Sequence, residues 1–257
     1  MQNLKVAMAQ TELVWENPEE NCRQLENRFR QLEAGTQLLV LPEMFSTGFS
    51  MNVKTIAEPL AGPGQQWMKE QARLHDTAIT GSLSVDTGEK TFNRLFFNYP
   101  DGRIQSYDKK HLFRMAGEHK RYAAGQQRLI VDLAGWRICP LVCYDLRFPV
   151  WSRNRQDYDL LIYVANWPKR RRSHWRQLLI ARAIENQAYV IGVNRIGTDG
   201  NGVKYSGDSL IISPTGELLV DGASEDGIFS AELDGDALMT YREKFPCHLD
   251  ADDFTVV

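Results

Sequence analysis

Leu141-Val142-Cys143-Tyr144-Asp145-Leu146-Arg147-Phe148-Pro149 is the stretch on which the reading of the fold turns. It follows Trp136 to Val142, a run that reads as a buried strand. It leads into a segment opened by Pro149, a residue suited to the first turn of a helix. A chain redirected sharply at that point lets a thiol on Cys143 stand clear of the sheet. Amide N–H groups at a helix start favour a thiolate and can hold an oxyanion. Most free cysteines are instead small buried apolar residues, so the rest of the chain has to decide between the two.

On either side, strands and helices alternate. Leu4 to Gln10 reads as a first strand. Asn17-Pro18-Glu19-Glu20 opens a helix, with Asn17 as cap, Pro18 in the first turn and Glu20 placed to complete a capping box. Cys22, Leu25, Phe29 and Leu32 give that helix an apolar stripe. Gln37 to Leu41 is a short run with the character of a buried strand, ending at Pro42-Glu43. A second helix is expected from Gly64 to His75, anchored by Trp67, Met68 and Leu74. Strands follow at 78–85, 91–99 and 103–108, the last two separated by the turn Pro100-Asp101-Gly102. The segment 109–124 is polar and irregular. Strands are expected at 129–133, 136–142 and 160–165, then a helix over 173–186 with Trp175, Leu178, Leu179, Ala183 and Ile184 at helical spacing. Four more strands lie at 189–194, 209–212, 217–220 and 227–232, before a short helix-like piece and a tail from Asp234. Two sheets with helices outside, in one α/β domain spanning 1–257, is the architecture this order suggests.

Composition narrows the function. The 257 residues carry a net charge of −3 and no basic stripe, which argues against a nucleic-acid partner. No apolar run is long enough to span a bilayer, and the first residues lack the regions of a signal peptide, so a cytoplasmic protein without a membrane partner is expected. Cys22, Cys139, Cys143 and Cys247 are expected to be free thiols. The five histidines show no zinc-type spacing with them, so neither metal nor cofactor is expected.

Three strand ends carry chemistry. Glu43 follows an apolar strand, where a carboxylate is costly to bury without a purpose or partner and would serve as a base. Lys109 and Lys110 end another strand. In extended chain they point to opposite sides, so at most one faces a pocket. A lysine beside a thiol lowers the thiol pKa and can stabilise an oxyanion. Cys143 ends the third. Asn166, closing 160–165, is either a turn residue or a substrate contact, and Lys169 to Arg172 is either a solvated cluster or an anion-holding one. In open sheets sites collect at such carboxyl ends, and this set fits covalent acyl transfer.

With these residues in view, the sequence resembles the nitrilase superfamily of carbon–nitrogen hydrolases. The resemblance rests on Leu41-Pro42-Glu43-Met44-Phe45, Tyr107 to Phe113 and Val142 to Pro149, in family order, with Arg182 to Gln187 and Tyr205 to Ser209 as further like segments. It implies a four-layer α-β-β-α sandwich of two mixed sheets. It implies Glu43 as general base, Lys109 rather than Lys110 as the lysine, Cys143 as nucleophile and Glu118 as a second glutamate positioning substrate and Lys109. Glu118 keeps the family spacing to Gly125, although Ala124 stands where a proline usually precedes that glycine. The N–H of Tyr144 is the implied oxyanion contact, and Asn166 stands beside it as a candidate substrate contact. The pattern looks most like the ω-amidase branch, which hydrolyses the terminal amide of 2-oxoglutaramate and related 2-oxo acids, as a homodimer paired through the helices after Pro149 and Ser173. A carbamoyl or ureido hydrolase on the same triad, a catalytically idle member of the fold and a redox sensor at Cys143 are the alternatives.

Overall fold

The structure, a computed structural model, describes residues 1–255; residues 256 and 257, the end of the expected 1–257 domain, lie outside the described residues. In chain order the strands are β1 (Leu4–Gln10), β2 (Leu38–Val40), β3 (Glu58–Pro59), β4 (Ala78–Asp86), β5 (Thr91–Asn98), β6 (Ile104–Asp108), β7 (Val131–Leu133), β8 (Trp136–Val142), β9 (Leu160–Ala165), β10 (Tyr189–Asn194), β11 (Ile196–Thr198), β12 (Lys204–Ser206), β13 (Leu210–Ile212), β14 (Leu218–Asp221) and β15 (Gly227–Leu233). The α-helices are α1 (Pro18–Phe29), α2 (Val53–Ile56), α3 (Pro63–Leu74), α4 (Pro149–Ser152), α5 (Arg172–Asn186) and α6 (Gly235–Lys244).

The first sheet runs β15-β1-β2-β4-β5-β6, with β3 on β4; the second runs β14-β13-β10-β9-β8-β7. Each has parallel strands at its centre and antiparallel strands outside them: β1, β2 and β4 in one, β8, β9 and β10 in the other. Side chains alternate across each strand, and the two faces go to different layers. From β1, Leu4, Val6 and Met8 pack between the sheets against residues such as Ile138 and Val190. Ala7 and Ala9 face outward, against Leu25 and Phe29 of α1 and Met68 and Ala72 of α3. Full burial of side chains like Leu25 and Phe29 contributes about 1.5–3 kcal/mol each. On the far side Trp175, Leu179 and Ala183 of α5 cover the second sheet, with a glycine, Gly192, where Leu179 and Trp175 come close. The four layers are helix, sheet, sheet, helix, as expected. Among the described residues no helix is long and apolar enough to cross a membrane.

Some local expectations change. Asn17 caps α1 by accepting from the Glu20 N–H, but the Glu20 carboxylate turns to Arg23 and Gln24 instead of closing a capping box. Leu74 and Ile184 are exposed and anchor nothing in the core. The β11–β12 ribbon was not anticipated, being two three-residue strands around a Gly- and Asp-rich turn. Pro149 opens only a single turn, α4; the chain leaves β8 through a separate 3-10 turn, Cys143–Arg147. A five-residue 3-10 turn lacks the aligned dipole of a long helix, so the environment of Cys143 is set by side chains more than by a helix start.

Candidate active site

Four strand ends meet over one cavity. Glu43 lies past β2, Lys109 directly follows β6, Cys143 directly follows β8 and Asn166 directly follows β9. Two of these turns pass through left-handed backbone at a non-glycine residue: Met44 at φ 45° beside Glu43, and Cys143 itself at φ 45°. Conformations of that kind cost of order 1–3 kcal/mol and persist where surrounding contacts over-determine them. Here the contacts are specific. The Met44 N–H donates to the Ser82 hydroxyl, and the N–H of Val142 donates to the Asp145 carboxylate across the cysteine turn.

Glu43, Lys109 and Glu118 are fully buried and joined. The Lys109 ammonium lies 2.8 Å from Oε1 of Glu43 and 3.0 Å from Oε1 of Glu118. The Asn166 backbone N–H donates to Glu43 Oε2 at 2.8 Å, and its side chain donates to the Glu43 carbonyl at 2.6 Å. Glu118 also accepts from the Phe113 N–H at 2.5 Å. The two lysines point apart, as alternation requires: Lys109 is buried, while Lys110 reaches outward to Gln126. Gly125 closes this segment by donating to the Lys109 carbonyl, and any Cβ there would collide with the Asp108 carbonyl.

Burial alone would lower the pKa of the Lys109 ammonium, but Glu118 and Glu43 outweigh it and hold it above the ordinary lysine value. Burial raises Glu118 above the usual carboxylate value, with Lys109 opposing and Glu43 adding to the rise. Cys143, 9% exposed, has a thiol pushed well above its ordinary value by burial first and by the Glu43 charge second, Lys109 pulling the other way. Burial and the neighbouring Glu43 both favour the protonated form of this sulfur.

The cavity has a volume of about 820 Å³. Lys109, Cys143, Tyr144 and Asn166 line it, with Phe49 and Phe113 among its aromatic walls. So do Arg147, Arg170 and Arg171, and none of these three is in an ion pair among the described residues. The basic cluster is thus split: Arg170 and Arg171 face the cavity, whereas Arg172 pairs with Asp208. Burial and then the charges of Arg170 and Arg147 lower Arg171 from its ordinary value. Among the described residues no group of three or more His, Cys, Asp or Glu side chains is arranged to hold a metal ion.

Sequence reasoning missed Asn93, Tyr107 and Asp145. Asn93 donates to Glu43 at 2.8 Å and lies 3.3 Å from Glu118. Beyond an asparagine within an expected strand, no sequence signal marks it. Asn166, expected to touch substrate, lines the cavity, yet its hydrogen bonds go to Glu43.

The likeness to known proteins extends over nearly the whole chain. The Carbon-nitrogen hydrolase family matches residues 5–243. Omega-amidase YafV of Escherichia coli (strain K12) is 50% identical over 258 residues, covering 99% of each chain. A 2-oxoglutaramate amidase of Bacillus subtilis (strain 168) is 34% identical over 94% of this chain and 95% of its own. Among solved structures, XC1258 of Xanthomonas campestris, a CN-hydrolase superfamily protein with an arsenic adduct in its active site, aligns with a TM-score of 0.97 at 43% identity, covering 100% of both chains. A match that takes in every layer of the sandwich and all four strand ends of the cavity leaves one assignment: the chain belongs to the carbon–nitrogen hydrolase family.

Proposed function

We propose that this amide-hydrolysing enzyme is an ω-amidase, releasing ammonia from the terminal amide of 2-oxoglutaramate or a similar 2-oxo acid amide. The observation that carries the reading is Lys109, held by the buried Glu43 and Glu118, lining with Cys143 a cavity whose three arginines make no ion pair among the described residues. Arg147 reaches His174 and lies over Trp167, Arg170 reaches the Met115 sulfur and Arg171 lies over Phe113, but none of them meets a carboxylate among the described residues. Such guanidinium groups suit a substrate that brings its own carboxylate. The similarity to the omega-amidase and 2-oxoglutaramate amidase relatives supports the same substrate class.

In this reading Glu43 takes the Cys143 proton and the sulfur attacks the amide carbonyl carbon. The oxyanion is held by the third N–H of Lys109, the other two being turned to Glu43 and Glu118, and by the Tyr144 N–H. The C–N bond breaks, and Glu43 returns the proton to the nitrogen, which leaves as ammonia. Water then gives a proton to Glu43 and attacks the thioester. The C–S bond breaks, the thiol is reprotonated from Glu43 and the carboxylate departs. Glu118 keeps Lys109 in place and Asn166 keeps Glu43 in place. No cofactor enters these steps.

The enzyme acts in this reading as one cytoplasmic domain that pairs into a homodimer. The exposed apolar side chains Val150 on α4 and Ile184 on α5, 57% and 49% exposed, support pairing through those helices. Ammonia release across a panel of 2-oxo acid amides and ureido acids tests the substrate. Turnover of 2-oxoglutaramate and none of ureido acids is expected, and the reverse preference would assign the site to a ureido hydrolase.

A further inference from the structure

Asp145 is two residues past the nucleophile, has no exposed surface, and accepts four hydrogen bonds. Oδ2 takes the Tyr107 hydroxyl at 2.8 Å and the Val142 N–H at 3.0 Å. Oδ1 takes the His111 backbone N–H at 2.9 Å and lies 2.7 Å from His111 Nδ1. The donors come from two different segments. Val142 precedes Cys143; Tyr107 and His111 flank Lys109 on both sides. Around them Tyr107 accepts from Trp151 Nε1 at 3.0 Å and the Lys110 N–H at 3.2 Å, and the His111 ring stacks on Phe148 with centroids 3.8 Å apart. The mechanism above uses none of these groups.

We infer that Asp145 is a positioning residue that fixes the separation between the Cys143 sulfur and the Lys109 ammonium, and that Tyr107 and His111 act through it. The two reacting groups come from different sheets, β6 and β8, and this carboxylate is hydrogen-bonded to the backbone or side chains on both sides of the gap. Charge-assisted bonds of this kind are short and directional, and each oxygen here is shared by two donors. An asparagine of the same size accepts at one atom only, so one pair of donors meets an N–H and the two segments shift. Displacement of reacting groups by about 1 Å costs on the order of a hundredfold in rate.

The inference rests on amide hydrolysis through Cys143, whatever amide is cleaved. The test is steady-state ammonia release from 2-oxoglutaramate by Asp145→Asn, Tyr107→Phe and His111→Asn. Rates are normalised to the Cys143 thiol counted by iodoacetamide labelling, with Cys143→Ala as blank. Asp145→Asn is expected to lower kcat per labelled thiol roughly tenfold to a hundredfold with KM changed by less than about threefold, since binding groups are untouched. Adding His111→Asn to it should lower kcat no further, because the histidine has lost the group it acts through. Normal kcat per labelled thiol at reduced melting temperature would show a merely structural role and overturn the inference. Should Asp145→Asn fail to fold, Tyr107→Phe keeps the carboxylate and removes one donor. A fall in kcat at unchanged KM is then expected, and an unchanged kcat overturns the inference. A Cys143→Ala variant that still turns over would instead defeat the nucleophile assignment, so the two failures are separable.

Discussion

The side-chain amide of Asn93 donates to Oε1 of Glu43 at 2.8 Å, the same oxygen that accepts from Lys109. Oε2 is held by the Asn166 N–H. The Glu43 carboxylate, the proton acceptor in the proposed mechanism, is therefore fixed by donors from three strands or strand ends, and its orientation does not depend on substrate.

Asn93→Ala should leave KM nearly unchanged and lower kcat by about tenfold to a hundredfold, the loss of a donor to a charged buried group being on the order of 1.5–3 kcal/mol. Ammonia-release kinetics check it. An equal rise in KM with kcat preserved would mean that Asn93 serves binding instead.

Lys109→Ala leaves Glu43 and Glu118 buried without their cation. Removing one partner of a buried ion pair costs about 3–5 kcal/mol, so urea unfolding should show a loss of that size together with loss of turnover. Loss of turnover at unchanged stability would argue that water or a rearranged neighbour replaces the ammonium.

Burial is the first reason the Cys143 thiol is held up, and Glu43→Gln removes the second, the carboxylate charge. Titrating thiolate absorbance, as a difference against Cys143→Ser, should place the wild-type thiol well above the ordinary cysteine range and the variant's lower, while the variant releases no ammonia. A thiol unmoved by the substitution would show that burial alone sets its pKa.

Asp159, directly before β9, pairs with Arg137 of β8 at 2.9 Å and with Arg242 of α6 at 2.7 Å. Burial alone would raise it, but the two arginines win and its folded pKa is lowered below the ordinary 3.8. The sign follows: the stabilisation is fully present above the unfolded pKa and is lost as pH falls through the folded one. Asp159→Asn should cost about 2–3 kcal/mol at pH 7, less than a fully buried pair because Arg137 is 41% exposed. The difference from wild type in urea melts should shrink below roughly pH 4. A difference constant down to pH 2 would contradict the ion pair.

The parts of this molecule legible in the sequence were those where backbone burial leaves one option. Trp136–Val142, Leu160–Ala165 and Tyr189–Asn194 form strands with the expected bounds, because runs with so little polar face suit only the central strands of a covered sheet. Alternation of extended chain allowed only one of Lys109 and Lys110 to face a pocket, and the resemblance, through the spacing to His111-Leu112, was what picked Lys109. Asn93 was not legible: a polar residue in an alternating strand reads as solvent-facing until the carboxylates opposite it are known. Asp145 was hidden for a similar reason, since its four donors come from positions up to 38 residues away. Leu74 and Ile184 misled because helical spacing marks a stripe but not its edges.

The central claim is that the Cys143 sulfur, with Glu43 as its proton acceptor, forms a thioester with the acyl part of an amide. Mass spectrometry of enzyme quenched during turnover of 2-oxoglutaramate measures this directly. The account predicts a mass increase equal to the acyl group on the peptide carrying Cys143, absent in Cys143→Ala, which should release no ammonia. Wild-type ammonia release by Cys143→Ala, with no adduct at residue 143 in the native enzyme, would contradict it.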